Sequence, residues 1–288
     1  MQVLSDFKEI KPTRPFPARS GQSMRMVPHL GAMAGVLLLA GSLQAQSATP
    51  TRSELYVSWG YNSENFARTD MRIVQASRGT DFVLHDVASH EERGWNELFR
   101  HKPTVPQYSV RIGYVLPNAP AWAAEISFEH ARFVVTRPQG VRLSGTLSGR
   151  ALDSSVVLTK EVLDFRMNNG ANFLLLNLVR KASLHGEVAH TGNVALLAKA
   201  GAGVLFPHAD NAVFGQRNTP AFQFGGVDVG LEAALRVHVY QRLYVELGQK
   251  GVFARYRGIK IRDGHADLDV WAHTTALSLG WSFRGDVR

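Results

Sequence analysis

Apolar and polar residues alternate along this chain with a period of two, and they do so over long stretches. From Val227 to Val239 every odd-numbered residue is apolar, whereas the even-numbered residues include Asp228, Glu232 and Arg236. A period of two predicts a β-strand with one apolar face. Strands of soluble proteins are usually about five or six residues long, whereas a strand that crosses a bilayer needs about 9–11. The 13 residues of this stretch are therefore typical of a membrane-crossing strand.

The same alternation recurs along the chain and predicts an all-β protein of ten antiparallel strands. The predicted strands are Glu54–Glu64, Met71–Ala76, Asp81–Ala88, Gln107–Leu116, Trp122–Val135, Ala171–Leu184, Val194–Leu205, Ala221–Val239, Leu243–Ile261 and Leu268–Phe283. The segment from Thr136 to Gly170 is ambiguous, because it can form either an extra hairpin in an extracellular loop or two more strands of the wall. Totals from eight to twelve strands therefore remain open.

Alternation alone does not decide between a soluble barrel, whose apolar face points inward, and a transmembrane barrel, whose apolar face points outward. Small residues opposite the apolar face favour the membrane, as do aromatic residues near strand ends, which match the interfacial girdles of membrane barrels. These aromatic residues are Tyr56, Trp59, Tyr114, Trp122, Tyr240, Tyr244, Trp271, Trp281 and Phe283. Short turns at Pro117–Pro120 and Tyr240–Arg242, with long connections at Ala88–Val105 and Phe206–Pro220, also fit a membrane barrel.

Residues 1–45 have the pattern of a secretory signal peptide. A basic start at Arg25 is followed by an apolar stretch from Gly31 to Leu43 and by small residues up to Ala45, where we predict cleavage. The apolar stretch of 13 residues is too short to cross a bilayer as a helix. Translation can also begin at Met24, since the residues before it do not resemble a signal. The mature chain, 46–288, is then one domain exported to the bacterial outer membrane.

Composition excludes several other classes of protein. The chain contains no cysteine, so neither a disulfide scaffold nor a lipid anchor on cysteine is possible. The net charge of +8 is modest, and no run of five like charges occurs, so nucleic acid is not a predicted partner.

Five short motifs carry a family resemblance. They are WGYN at Trp59–Asn62, DFVLHDV at Asp81–Val87, PQYSVRIGY at Pro106–Tyr114, EHARFV at Glu129–Val134 and NGANF at Asn169–Phe173. Together they resemble a group of uncharacterised bacterial outer-membrane β-barrel proteins, over most of residues 54–260. The resemblance implies a small single-chain transmembrane barrel in the outer membrane, and it brings no catalytic residues with it.

The polar face of the predicted strands carries nearly balanced charge. In a transmembrane barrel this face lines the lumen, and its charged residues are Arg111, Glu125, Glu129, Lys199, Asp228, Glu232, Arg236, Glu246 and Lys250. A narrow barrel has room for little more than its own side chains, so opposite charges there pair into a network. The sequence thus predicts a porin-like wall with a plugged lumen and a structural role. Small-solute transport through a selective or ligand-lined lumen is the remaining alternative for this face.

An outer-membrane lipid-modifying enzyme, a lipid A or phospholipid acyl hydrolase, is the alternative from another class. Such an enzyme needs a nucleophile, a base within hydrogen-bond reach and an orienting acid. Ser127, Glu129 and His130 are close in sequence, but parity puts His130 on the face opposite Ser127. His273 lies on the apolar face of its strand and is the remaining single candidate outside the lumen.

Metal ions and cofactors are not predicted. His208–Asp210 and His265–Asp269 combine nitrogen and oxygen ligands, but loops are commonly polar, so neither cluster is specific for a metal. The expected partners are outer-membrane lipids and the barrel-assembly machinery. Loop arginines such as Arg137, Arg142 and Arg217 match phosphate in geometry and charge and can contact lipopolysaccharide. We expect a monomer.

Overall fold

The computed structural model describes residues 54–92, 107–185 and 191–284. The predicted signal peptide lies outside these residues. The described part is almost entirely strand, with one short 3-10 turn at Ala76–Arg78, which confirms the all-β prediction. The strands are β1 (Glu54–Phe66), β2 (Thr69–Gln75), β3 (Thr80–Val87), β4 (Ser89–His90), β5 (Tyr108–Leu116), β6 (Ala119–His130), β7 (Phe133–Val135), β8 (Gln139–Leu147), β9 (Arg150–Leu158), β10 (Leu163–Met167), β11 (Phe173–His185), β12 (Val194–Leu205), β13 (His208–Val213), β14 (Gln216–Arg217), β15 (Ala221–Phe222), β16 (Gly226–Tyr240), β17 (Leu243–Ile261) and β18 (Gly264–Arg284). Among the described residues, none forms a helix with the length and apolar character that a membrane crossing requires.

Eight of these strands follow one another in a ring of antiparallel pairings. The order is β1, β5, β6, β11, β12, β16, β17 and β18, and β18 pairs again with β1 from Glu54↔Arg284 to Phe66↔Ala272. We call these eight strands the ring. Ten strands were predicted, and eight is the lower end of the predicted range. The difference arises because β2 and β3, two of the predicted wall strands, continue the sheet from β18 beyond the ring.

The sheet continues past the ring because β17 and β18 are 19 and 21 residues long. The first residues of β18 pair with β2, from His265↔Val74 to Leu268↔Met71, and β3, β8 and β9 follow in that order. The ambiguous segment between Thr136 and Gly170 forms the hairpin β8–β9 here and does not enter the ring. A second sheet, in the order β14-β13-β10-β7-β4, contributes to the same core. We call everything beyond the ring the extension.

The extension has an apolar interior. Met71, Ile73, Phe82 and Leu84 of the long sheet lie in one core cluster with Phe165 of the second sheet, and all are buried. Outward positions of the same strands carry charged groups, such as the ion pairs Arg72–Asp81 and Arg142–Asp153. This is the arrangement of a soluble β-sandwich, with apolar residues inside and charges outside.

The ring has the opposite arrangement, and the change occurs within single strands. On the inward face of β18, apolar Leu268 and Val270 are followed by polar Thr274 and Ser278, all of them buried. On the outward face, polar residues up to Asp269 are followed by Trp271, which is 43% exposed, then by the polar residues His273 and Thr275, and then by apolar residues from Leu277 to Phe283. Both faces therefore reverse their polarity between residues 270 and 277, although the strand continues without a break.

Large exposed apolar side chains lie on the outward face of seven of the eight ring strands, and we call them the exposed apolar band. Its members are large apolar side chains on outward positions of the ring strands, each between 36% and 63% exposed. They are Leu55, Trp59, Ile112, Tyr114, Trp122, Ile126, Leu176, Leu178, Val227, Val229, Leu235, Leu247, Trp271, Leu277, Leu279, Trp281 and Phe283. Monomeric soluble proteins seldom expose a contiguous apolar patch larger than a few hundred Å². The band therefore needs an apolar environment around it.

Candidate functional site

All nine charged residues predicted to line the lumen lie inside the ring. None of them is more than 3% exposed. Their strands alternate one residue inward and one outward, so each charged residue occupies the parity opposite to the exposed apolar band. Charged residues are seldom fully buried unless they are paired, and most of these nine have partners among one another.

Two glutamates occupy the centre of the network. Glu232 on β16 accepts a hydrogen bond from Nη1 of Arg111 and lies 3.2 Å from Nζ of Lys199. Glu246 on β17 accepts from Lys199 at 2.7 Å and from Arg111 at 3.3 Å. Since Arg111 belongs to β5 and Lys199 to β12, these bonds cross the interior and tie distant parts of the ring together.

The remaining pairs extend the network in two directions. Arg236 donates from Nε to Glu246 at 2.8 Å. Lys250 donates to Glu129 at 2.6 Å, and Lys199 donates to Glu125 at 3.1 Å. Four cations thus meet four glutamates, and each of these eight groups is paired.

The ninth predicted residue, Asp228, is different. It is 2% exposed, and neither of its carboxylate oxygens has a hydrogen-bond partner within the described part of the protein. Its neighbours in register are Gly203 and Ala254, which offer no cation. Asp228 is therefore a buried carboxylate beyond the balanced set of four and four.

Apolar layers bound the network at both ends. Towards the extension, Leu175, Val252, Ala254 and Tyr256 belong to the extension's core cluster and point into the ring. At the opposite end a second, smaller cluster closes the interior; its members are Tyr56, Val115, Ala123, Val179, Leu197, Ala234 and Tyr244. In such low-dielectric surroundings an ion pair is favourable only when its geometry is good and its groups are also hydrogen-bonded.

Two tyrosines that the sequence placed in the outer aromatic girdle lie inside instead, and that part of the girdle prediction was wrong. Tyr56 and Tyr244 are almost completely buried, and the guanidinium of Arg236 lies between their rings, 4.4 Å and 4.1 Å from the centroids. Tyr56 also donates from its hydroxyl to Glu125 at 3.0 Å. Parity contained the signal, because Tyr244 is two residues from the inward-facing Glu246 and Tyr56 two from the inward-facing Ser58.

Glu64 is a buried acidic residue of the ring interior that the predicted set of nine does not include. It is an inward-facing residue near the end of β1, 2% exposed, and it accepts a hydrogen bond from Asn62. The parity of β1 would have identified it as a further acidic residue of the interior.

The predicted hydrolase candidates do not assemble. Ser127 faces the interior and accepts from Asn177 at 3.0 Å and from Lys250 at 3.3 Å. His130 instead contacts Asn172, with 2.9 Å between Nδ1 and Oδ1, and stacks on Tyr108. His273 lies half-buried on the outward face of β18, as its parity predicts. For the metal candidates, the described residues contain no group of three or more His, Asp or Glu side chains arranged to hold an ion.

Comparisons with known proteins give structural likenesses only. No protein-family model matches the chain, and no curated protein matches it. Among solved structures, the chain is similar to the attachment invasion locus protein Ail of Yersinia pestis, with 14% identity, 81% of this chain and 100% of that chain covered, and a TM-score of 0.35. It is also similar to the outer-membrane protease OmpT of Escherichia coli, with 11% identity, 84% and 100% covered and a TM-score of 0.37. A third is the N-terminal β-barrel domain of Pseudomonas aeruginosa OprF, with 11% identity, 82% and 100% covered and a TM-score of 0.34. These likenesses are too distant to assign a family or a role.

Proposed function

We propose that the chain is a bacterial outer-membrane β-barrel protein with a structural role, in which the ring spans the membrane with a plugged lumen and supports the extension outside the cell. The observation that carries this proposal is the reversal of polarity along β18. A water-soluble sheet has no reason to exchange its polar and apolar faces midway along one strand. A strand that leaves lipid and enters water must do so, because its outward face changes solvent at that point.

The length of the apolar face on β16 matches a bilayer. Its outward positions from Val227 to Val239 are all apolar. Twelve residue steps at about 3.3 Å span about 40 Å along the strand, or roughly 30 Å along the membrane normal at a tilt near 40°. The hydrocarbon core of a bilayer is about 30 Å thick.

The lengths of the connections at the two ends of the ring indicate which end of the barrel faces the periplasm. At the end away from the extension, β5 joins β6 and β16 joins β17 through turns of two residues. Short periplasmic turns and long extracellular segments characterise outer-membrane barrels, so the extension lies outside the cell. In this proposal export uses a signal peptide that is cleaved after Ala45, and the barrel-assembly machinery inserts the ring as a monomer.

Side chains fill the lumen of this barrel and close it. Eight strands enclose a space that side chains can just fill, and here Arg111, Lys199 and Glu246 bond across it. Solute passage would require these pairs to separate in a dry interior, which is costly. We therefore favour a structural role over small-solute transport, with outer-leaflet lipids and lipopolysaccharide phosphates as partners of the outward arginines.

Two measurements on one preparation test this proposal. Outer-membrane fractions are run on detergent gels with and without boiling, and the purified protein is placed in planar bilayers for conductance. We expect a heat-dependent change in migration and no steady conductance. Recovery as a soluble protein without the gel shift would overturn the membrane placement. A stable open channel would overturn the plug and restore the transport alternative.

A further inference from the structure

Three side chains on the outward face of the extension form a hydrogen-bonded line of serine, histidine and aspartate. Nε2 of His85 lies 2.7 Å from Oγ of Ser144, and Nδ1 of His85 lies 3.1 Å from Oδ2 of Asp70. The three residues come from β3, β8 and β2, which are neighbours in the sheet. A serine activated by a histidine that a carboxylate orients is the arrangement of a nucleophilic hydrolase.

A β-bulge brings the carboxylate to the histidine. Thr69 pairs with Val87 and Met71 with Leu84, so that Asp70 alone faces both His85 and Asp86. Asp86 has a φ of 57°, a conformation that few non-glycine residues adopt. Its backbone N–H donates to Oδ1 of Asp70 at 2.9 Å, and its side chain is held by Arg68 at 2.8 Å. The bulge therefore uses one oxygen of Asp70 to fix the carboxylate and directs the other at His85, as bulges beside active sites do.

The line is open to an external molecule. The side chain of His85 is 31% exposed and that of Asp70 is 62% exposed, and Ser144 is half-buried. Arg142, the register partner of His85 and two residues before Ser144 on the same face, lies beside the serine and is ion-paired with Asp153 at 2.7 Å.

The site lies just above the exposed apolar band. Thr69, the residue before Asp70, donates its hydroxyl to the carbonyl of Asp269, and Ala67 donates its N–H to the carbonyl of Trp271. Asp269 precedes Trp271, which is the first exposed apolar residue on the outward face of β18. Since successive residues of a strand rise about 3.3 Å, Asp70 lies within roughly 10 Å of the top of the band. Ester carbonyls of membrane lipids occupy this boundary between acyl chains and headgroups.

We propose that Asp70, His85 and Ser144 form a hydrolase site that cleaves acyl esters of outer-leaflet lipids. Oγ of Ser144 attacks the ester carbonyl carbon while Nε2 of His85 takes the hydroxyl proton. The C–O bond to the alcohol breaks, and the alcohol leaves with that proton, so that the acyl group remains on Ser144. Water, deprotonated by His85, then attacks the acyl carbon, the bond between that carbon and Oγ of Ser144 breaks, and His85 returns the proton to Oγ as the fatty acid leaves. Asp70 is a positioning residue that holds the ring of His85. The lipid substrate rests on the proposed membrane placement, whereas the reactivity of Ser144 does not.

The first experiment is covalent labelling of the full-length protein in detergent with a fluorophosphonate probe, followed by peptide mapping. We expect the label on Ser144, and we expect Ser144→Ala and His85→Gln to abolish it. Ser155→Ala is the matched control, because Ser155 is an exposed serine on the neighbouring β9 that pairs with Arg142; it should label like the parent chain. Absence of label, or equal label in Ser144→Ala, would overturn the site.

An assay of ester hydrolysis distinguishes a positioning role of Asp70 from a purely structural role. With p-nitrophenyl palmitate in mixed micelles, Ser144→Ala should lose at least about a thousandfold in kcat/KM. Asp70→Asn should lower kcat about a hundredfold or more with little change in KM, and Asp70→Glu should recover part of the loss. Equal effects of Asp70→Asn and Asp70→Glu, or no effect, would contradict the role given to Asp70.

The heat-dependent gel shift is recorded on the same samples. Failure of the membrane placement can then be distinguished from failure of the hydrolase proposal. A heat-modifiable protein that does not label keeps the barrel and overturns the hydrolase. A protein that labels at Ser144 without a gel shift overturns both the membrane placement and the lipid substrate. Release of fatty acid from phospholipid vesicles by the parent chain, but not by Ser144→Ala, supports the lipid substrate directly.

Discussion

The ring and the long sheet of the extension form one continuous sheet, yet the interiors of the two regions are opposites. Inside the ring, Arg111, Lys199 and Glu246 form ion pairs, whereas inside the extension Met71, Leu84 and Phe165 pack in an apolar core. Outside, the ring exposes residues such as Leu279, and the extension exposes the pair Arg72–Asp81. Alternation therefore determines only that two faces differ, and the surrounding solvent determines which of them turns inward.

The two regions also differ in what stabilises them. Removal of apolar surface from water drives the extension to fold, whereas the ring, once in lipid, depends on complete pairing of its backbone and interior polar groups. The following substitutions test this difference, and they are ordered by the size of the expected effect.

Glu246→Leu should have the largest effect. It removes the carboxylate that Arg111, Lys199 and Arg236 share, and it leaves buried cations without full compensation. We expect the free energy of unfolding to fall by about 3 to 5 kcal/mol, measured as the urea midpoint of the gel shift. Leu247→Glu, one residue on, places a carboxylate outside the ring; it should not compensate for Glu246→Leu in the double variant. Unchanged stability of Glu246→Leu would show that the network is not a stabilising plug.

Leu84→Ala should affect the extension and leave the ring intact. The leucine is 1% exposed in the apolar core, and truncation of such a residue costs about 2 to 5 kcal/mol. We expect faster limited proteolysis of the extension at an unchanged gel shift. Val83→Ala, at the adjacent outward and half-buried position, is the control and should be much milder. Loss of the gel shift in Leu84→Ala would mean that the two regions unfold as one unit.

Asp228→Asn should stabilise the ring. The carboxylate is buried without a hydrogen-bond partner among the described residues, whereas the eight other charges of the predicted set are paired, so its neutral isostere removes a buried charge that no hydrogen bond compensates. We expect a gain of about 1 to 3 kcal/mol in the same urea measurement. Glu232→Gln, which neutralises a paired carboxylate instead, should be destabilising. A loss of stability in Asp228→Asn would show that Asp228 has a cationic partner.

The outward ion pairs of the extension should have the smallest effect, and it depends on pH. The Arg72 side chain, hydrogen-bonded to Asp81 at 2.8 Å, lowers the pKa of the Asp81 carboxyl from its usual 3.8. Because the folded pKa is the lower one, the pair contributes stability above pH 3.8 and loses it as the pH falls through the folded pKa. We expect carboxyl NMR titration to show a lowered pKa that returns towards 3.8 in Arg72→Gln. No difference between the two proteins would contradict the pairing.

Much of the ring interior could be predicted from the sequence, because parity is a local property. The nine charged residues follow from the alternation of inward and outward positions along strands such as β16. The position of β2 and β3 could not be predicted in this way, since their alternation is as regular as that of a wall strand. Only the pairing of His265–Leu268 with β2 places them outside the ring, and such non-local pairing leaves no mark on either strand alone.

The proposed hydrolase site of Asp70, His85 and Ser144 could not be predicted from the sequence, for a related reason. Asp70 and His85 are 15 residues apart, and Ser144 is another 59 residues away. Ser127 and His130 are close neighbours in sequence, but the fold directs them to different surroundings. A bulge in β3, visible only as a shift in register, brings Asp70 to His85.

The unbroken course of β17 and β18 has a mechanical consequence. The two strands are hydrogen-bonded from Leu243↔Trp281 to Ile261↔Gly264, with one shift of register between Tyr256 and Ile259 and no linker between the part within the ring and the part beyond it. The extension is therefore joined to the ring by a ladder of backbone hydrogen bonds rather than by a flexible linker. Bending the extension relative to the ring would break hydrogen bonds of this ladder. The seven residue steps from Gly264 to Trp271 correspond to about 23 Å of strand. In the proposed membrane placement, a group at the tip of this hairpin is therefore held at a fixed height and direction above the bilayer.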